Sequence, residues 1–184
     1  VAYAEGRTLG RLAARRLAAH GITMDAGLTD HEIDRAEREY GFSFADDHRA
    51  MLAAGLPVGA GWPNWRAPTG ALADQLRWPI DGLLLAVAHH DYWHPEWGTR
   101  PDQVADAVAK ADSWLAMAPR MVPVHKHGYL PAGAGTYGHP VLSMEQTDII
   151  VYGEDLADYV EHEFAGRPVG DATVTVEFWR DLIS

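Results

Sequence analysis

Leu28–Gly41 reads LTDHEIDRAEREYG, and this stretch carries the clearest local instruction in the chain. Thr29 stands where an N-cap accepts a backbone hydrogen bond, and Glu32, three residues on, is placed to return one, which makes a capping box. Leu28 and Ile33 flank the box as a hydrophobic staple. Ile33, Ala36 and Tyr40 then form one apolar stripe at helical spacing, and Gly41 tolerates the positive φ that ends a helix. A short capped helix with one apolar stripe must bury that stripe against a second layer, so the flanking sequence has to supply it.

On the N-terminal side, Leu9, Leu12, Ala13 and Leu17 recur at helical spacing over 8–20, with Thr8 as N-cap and Gly21 as the stop. Arg7, Arg11, Arg15 and Arg16 fall on this helix and read as a solvated face. On the C-terminal side, a shorter helix is expected from Asp46, as cap, through Met51 and Leu52 to Gly55 and Pro57. From Gly59 to Trp97 the chain turns rich in Gly, Pro and Trp, holding five of its seven tryptophans, and reads as ordered loop. Within it, GLLLAVA (82–88) is a short apolar run without polar alternation, which suggests a central buried strand.

Pro101 suits the first turn of a helix in which Val104, Val108, Ala111, Leu115 and Ala118 are spaced 4, 3, 4 and 3, ending before Pro119. MVPVHKH, HPVLSM and TDIIVYG read as three short strands around the Gly-rich turn PAGAGTYG, favouring antiparallel neighbours. Leu156, Val160 and Phe164 return to helical spacing within 154–164, closed by Gly166 and Pro168. The tail VTVEFWRDLI fits either strand or helix. Helices, then a strand, a helix, strands and a helix make an α+β order rather than βαβ winding.

The composition narrows function. The 184 residues suit one domain. Fifteen Lys and Arg against 26 Asp and Glu leave 15 − 26 = −11, a surface that repels a phosphate backbone, so direct nucleic-acid binding is disfavoured and a basic protein partner is favoured. The absence of cysteine excludes disulfides, thiolate metal sites and a Cys nucleophile. No stretch approaches the ~18 consecutive apolar residues of a membrane span, and the first residues lack the apolar core of a leader, so a soluble cytoplasmic protein is expected.

Histidine is unusually frequent, with ten residues. On a continuous strand His125 and His127 would share one face and could chelate an ion, with a third ligand from the loop carrying His90, His94 or His139. Without a metal, His90, His94, His125 or His127 beside an acid such as Asp91 could act as a general acid–base pair, in a pocket lined by Trp62, Trp65 and Trp93. The weightier expectation is that these histidines pack and hydrogen-bond, with no cofactor. The run EDLADYVEHE includes no base, and as a helix it would show Glu154, Asp158 and Glu161 on one face, either solvated or docking a basic partner.

LTDHEIDRAEREYGFSFADDHRAMLAAGLPVG resembles the N-terminal signature of the SUKH (Smi–Knr) superfamily. It has an opening Leu-Thr, a helix with an internal Glu, an aromatic or Gly break and a short D-x-R-x-x-L helix. GWPNWR, HPEWGTRP, APRMVPVHKHGYLP, GHPVLSMEQTDIIVYG and DLADYVEHEF are similar, in order, to blocks of long standalone actinomycete members. The resemblance covers about 25–165. It implies one SUKH-like domain over 1–184: an N-terminal helical extension (1–24), a core (25–165) with a mixed or largely antiparallel sheet flanked by helices, and a tail (166–184). It also implies a non-catalytic role, either immunity by binding and occluding a toxin or regulation through protein contacts. Trp62, Trp65 and Trp97 would then be the partner-binding anchors, with Glu154, Asp158 and Glu161 setting approach and choice of partner. The alternative is a small-molecule enzyme or ligand-binding protein that uses the His/Trp pocket, with a metal ion as an option.

Overall fold

The computed structural model describes residues 2–170 and 173–182. Its order is α1 (Ala2–Ala19), β1 (Met24–Asp25), α2 (Asp30–Tyr40), α3 (Asp46–Ala54), β2 (Leu56–Pro57), α4 (Gly70–His89), α5 (Val104–Leu115), β3 (Met121–His125), β4 (Gly128–Pro131), β5 (Val141–Glu145), β6 (Asp148–Gly153) and α6 (Leu156–Ala165). Short 3₁₀ turns occupy Pro95–Trp97 and Trp179–Leu182. The fold is α+β, and both of its sheets are antiparallel: a two-stranded β1–β2 pair and the meander β3–β4–β5–β6.

The capping box forms as spaced. The Thr29 hydroxyl accepts from the Glu32 N–H, the Glu32 carboxylate accepts from the Thr29 N–H at 2.8 Å, and Gly41 sits at φ 68°. Ile33 and Ala36 are buried, so the stripe does face a core.

The meander lies between two apolar cores, and its residues alternate between them. Val122, Val124, Leu130 and Val141 face a core completed by Leu17 of α1, Ile33 of α2, Met51 and Leu52 of α3, and Val160 of α6. Met121, Tyr129, Leu142, Met144 and Ile149 face the other, closed by Leu83 and Val87 of α4, Ala111 and Leu115 of α5, Trp97 and Trp179. The strand period of two thus feeds both cores, which is why every residue of β3 is buried.

Several elements depart from expectation. GLLLAVA is not a strand but the second half of α4, whose buried positions Leu72, Leu76, Pro79, Leu83, Ala86 and Val87 make a helical stripe. A seven-residue apolar window contains too few turns to reveal that period, and the internal Pro79 disguised the run before it. Helix α1 begins at Ala2, and Thr8 lies inside it, bonding back to the Ala4 carbonyl at 2.9 Å. Nor is α1 an appendage, since Ala13 and Leu17 are fully buried. The cap of α3 is Ala45, whereas the Asp46 carboxylate accepts from the Gly135 N–H and Asp47 accepts from the Gly138 N–H, both at 2.9 Å. These bonds clamp the glycine-rich β4–β5 loop onto α3. Helix α5 starts at Val104, after Pro101, and ends at Leu115. The expected three strands are four, because Lys126 and His127 are the turn of a hairpin. Over 173–178 the tail is neither strand nor helix, turning at 177–178 into its 3₁₀ turn, and Ile183 lies outside the described residues.

Candidate interaction surface

The turn between β3 and β4 decides the histidine question. His125 pairs with Gly128, so Lys126 and His127 form a two-residue connection, and Lys126 takes φ +48°. The strand therefore stops at His125, and the shared face expected for His125 and His127 does not exist. His125 is buried, its ring tilted against that of Trp62 with 4.3 Å between centroids and its Nδ1 3.2 Å from the Tyr159 hydroxyl. Burial first, then Lys126, lowers its pKa against the opposing pull of Glu163 and the Ala60 backbone. His127 is exposed beside Trp78, at 5.7 Å between ring centroids. His90 caps the end of α4 and is exposed. Asp91 pairs with Arg100 at 3.4 Å rather than with a histidine. His94 caps the Pro95–Trp97 turn, its Nδ1 accepting from the Glu96 N–H at 3.3 Å. The four histidines are thus dispersed, and no group of three or more His, Asp or Glu among the described residues is arranged to hold a metal ion.

The expected anchors separate as well. Trp65 and Trp97 are interior, 1% and 2% exposed, because each fills one of the two cores. Trp62 is half-buried between His125 and Phe164. Glu154 lies before α6, which Asp155 caps, so it does not share a helix face with Asp158 and Glu161; it is exposed, and its N–H donates to the Asp158 carboxylate at 3.0 Å. Glu161 is buried, bound by Arg16 at 3.4 Å, His20 at 3.3 Å and Arg167 at 3.2 Å. The His20 hydrogen bond leads the effects that lower its pKa. The acidic run lacks bases only along the sequence. Its partners arrive from α1, from Lys126 on Glu163 at 3.0 Å, and from the segment after the helix.

What the sequence left unmarked is the surface at the end of α5. The buried stripe Ala107, Ala111 and Leu115 turns the adjacent Trp114 outward, 39% exposed, and Met117, just past the helix, is 69% exposed. They border a concavity of about 420 Å³ with Trp97 and Phe178 in its wall and Glu96, Glu177 and Asp181 at its rim, where Arg180 pairs with Asp181. Phe178 has φ +67°, a left-handed backbone that a bulky aromatic rarely adopts, and its ring lies 5.6 Å from His94. Glu96 and Asp181 also border a neighbouring concavity of about 480 Å³ with Tyr92 and His94 in its wall. The Tyr92 hydroxyl is buried without a hydrogen-bond partner, and burial pushes its pKa up to about 12.

Comparison with known proteins found no matching family model, no matching curated protein and no matching solved structure. No helix among the described residues is long and apolar enough to cross a membrane.

Proposed function

We propose that this chain is a SUKH-type, non-catalytic binding protein that occludes a basic protein partner such as a bacterial toxin, with Trp114 and Met117 at the centre of contact. The observation that carries this reading is the pair of large apolar side chains left in solvent around a cleft rimmed by carboxylates. Trp and Met are enriched at interface cores, and a charged rim sets approach and choice of partner. The net charge of −11 points to a partner of opposite sign. Trp97 supports the surface from beneath instead of touching the partner, and Trp65 belongs to the other core.

The test is titration calorimetry of the purified protein against a panel of basic nuclease and deaminase toxin domains, with toxin activity assayed in the same mixtures. One toxin is expected to bind and lose activity. Trp114→Ala with Met117→Ala should weaken that complex by at least about a hundredfold through faster dissociation, with an unchanged melting temperature. Unchanged affinity would remove this surface, and a bound toxin that stayed active would remove occlusion.

The unpartnered Tyr92 hydroxyl favours a second reading, a small polar ligand in the His94 concavity. A metabolite that raises the melting temperature of the wild type but not of His94→Ala would support it, and a flat screen would count against it.

A further inference from the structure

The arginines of α1 form a second surface, opposite in sign to the first. Arg7, Arg11 and Arg15 are exposed and recur every four residues, so at 1.5 Å rise they stand about 6 Å apart along one face of the helix. Most cations elsewhere are engaged: Arg49 binds Asp30 and Asp34, Arg66 binds Glu32, Arg77 binds Asp81, and Arg167 binds Glu161. Arg7 has contacts of its own. Arg11 and Arg15, in contrast, have no ion-pair or hydrogen-bond partner among the described residues, although like charges four residues apart repel on a helix. They are also walls of a groove. Two adjoining concavities of about 260 and 330 Å³ share Arg11 and Ala54, the first reaching Arg7 and the second Arg15, and small residues of α1 and α3, among them Ala14, Ala50 and Ala53, line them.

We propose that this groove docks an acidic amphipathic helix from a second protein. A helix with carboxylates at every fourth position repeats at the same spacing of about 6 Å as the guanidinia, so each arginine meets one acid in register. The alanine floor leaves room for such a helix to approach closely with small side chains. Three carboxylates border the groove. Asp30 is taken by Arg49, Asp25 lies near Arg15, and Asp46 accepts from the Gly135 N–H. The second Asp46 oxygen is buried and has no hydrogen-bond partner. On a chain of net charge −11, a cationic stripe selects a different partner from the one that suits the acidic rim near Trp114, so both can be held at once.

The test is fluorescence polarisation at low salt with a labelled, stapled alanine helix carrying glutamate at every fourth position, beside its glutamine counterpart. The glutamate peptide should bind, and the glutamine peptide should bind at least about tenfold more weakly. Arg11→Glu with Arg15→Glu should cut affinity by at least the same factor and Trp114→Ala should not, which separates this surface from the proposed toxin contact. Because both arginines are exposed, the melting temperature of the double variant should match the wild type. No binding of the glutamate peptide, or equal binding of the two peptides, overturns the proposal. Tighter binding of inorganic polyphosphate or single-stranded RNA than of the glutamate peptide would also overturn it, in favour of a phosphate ligand.

Discussion

His48 offers the sharpest quantitative test of the packing. It is 1% exposed, neither ring nitrogen has a hydrogen-bond partner, and its ring meets Phe44 edge-on at 5.1 Å between centroids. Burial lowers its pKa from 6.5 to about 3. A pKa lower in the fold than in the unfolded chain means that the contribution of His48 is fully present above pH 6.5 and is lost as pH falls toward about 3. Between pH 7 and pH 5 the unfolded chain binds this proton and the fold does not, which costs about 2 kcal/mol. The neighbouring Asp47 works the other way. Burial, only partly offset by N–H donors from Gly138 and His48, raises its pKa from 3.8 to about 6. Its contribution is fully present below pH 3.8 and is lost as pH rises through about 6, which adds about 1 kcal/mol on acidification from pH 7 to pH 5. From these two groups, wild-type stability therefore falls by about 1 kcal/mol over this window. In His48→Leu only the Asp47 effect remains, so the variant should gain about 2 kcal/mol on the wild type between pH 7 and pH 5. Urea unfolding of both proteins at the two pH values measures this. A stability gap between the proteins that is the same at pH 7 and pH 5 would refute the confinement of a neutral imidazole.

Two further substitutions probe single contacts. Thr29→Ala removes the capping box and should cost about 1 kcal/mol in urea unfolding. The Arg66 hydrogen bond is the first cause, and Thr29 the next, of the low Glu32 pKa of about 2, so the titration of that carboxylate, followed by carbon NMR, should move upward in the variant. The depressed pKa means that Glu32 contributes stability above its unfolded value of 4.5, which is lost as pH falls toward about 2. Tyr159→Phe deletes the hydroxyl at 3.2 Å from the buried His125 Nδ1 and should cost about 1–2 kcal/mol, read from the urea midpoint, with backbone chemical shifts changing only near Trp62 and Phe164.

Local chemistry was legible wherever one residue type does one job. The Thr29/Glu32 box, the Gly41 and Gly166 stops at φ 68° and 67°, and the stripe of α5 could be read because each is written within one or two turns. The β3–β4 hairpin turn was hidden because Lys126 holds a positive φ of 48° where glycine or asparagine is the usual signal. That one substitution of expectation turned a hairpin into a longer strand and placed two histidines on a face they do not share. The pairing of Glu161 was equally out of reach, since Arg16 lies 145 positions away and only the packing of α1 on α6 joins them. The exposed Trp114 looked like any aromatic of a helix, and its neighbour Leu115 shows that one residue of phase separates core from surface.

The shared sheet also sets an order for biosynthesis. Every residue named for the first core has been made once α6 is complete, and domains form from the N-terminal side as the chain lengthens. The second core must wait. Val176 and Trp179 seal it, and the Trp179 indole N–H donates to the Pro119 carbonyl at 2.7 Å, so until that last segment is made Trp97, Leu115 and Tyr129 lack their cover. A nascent chain paused before Val174 would carry a finished layer of helices on one side of the meander and an open apolar face on the other, the form in which a chaperone would meet it.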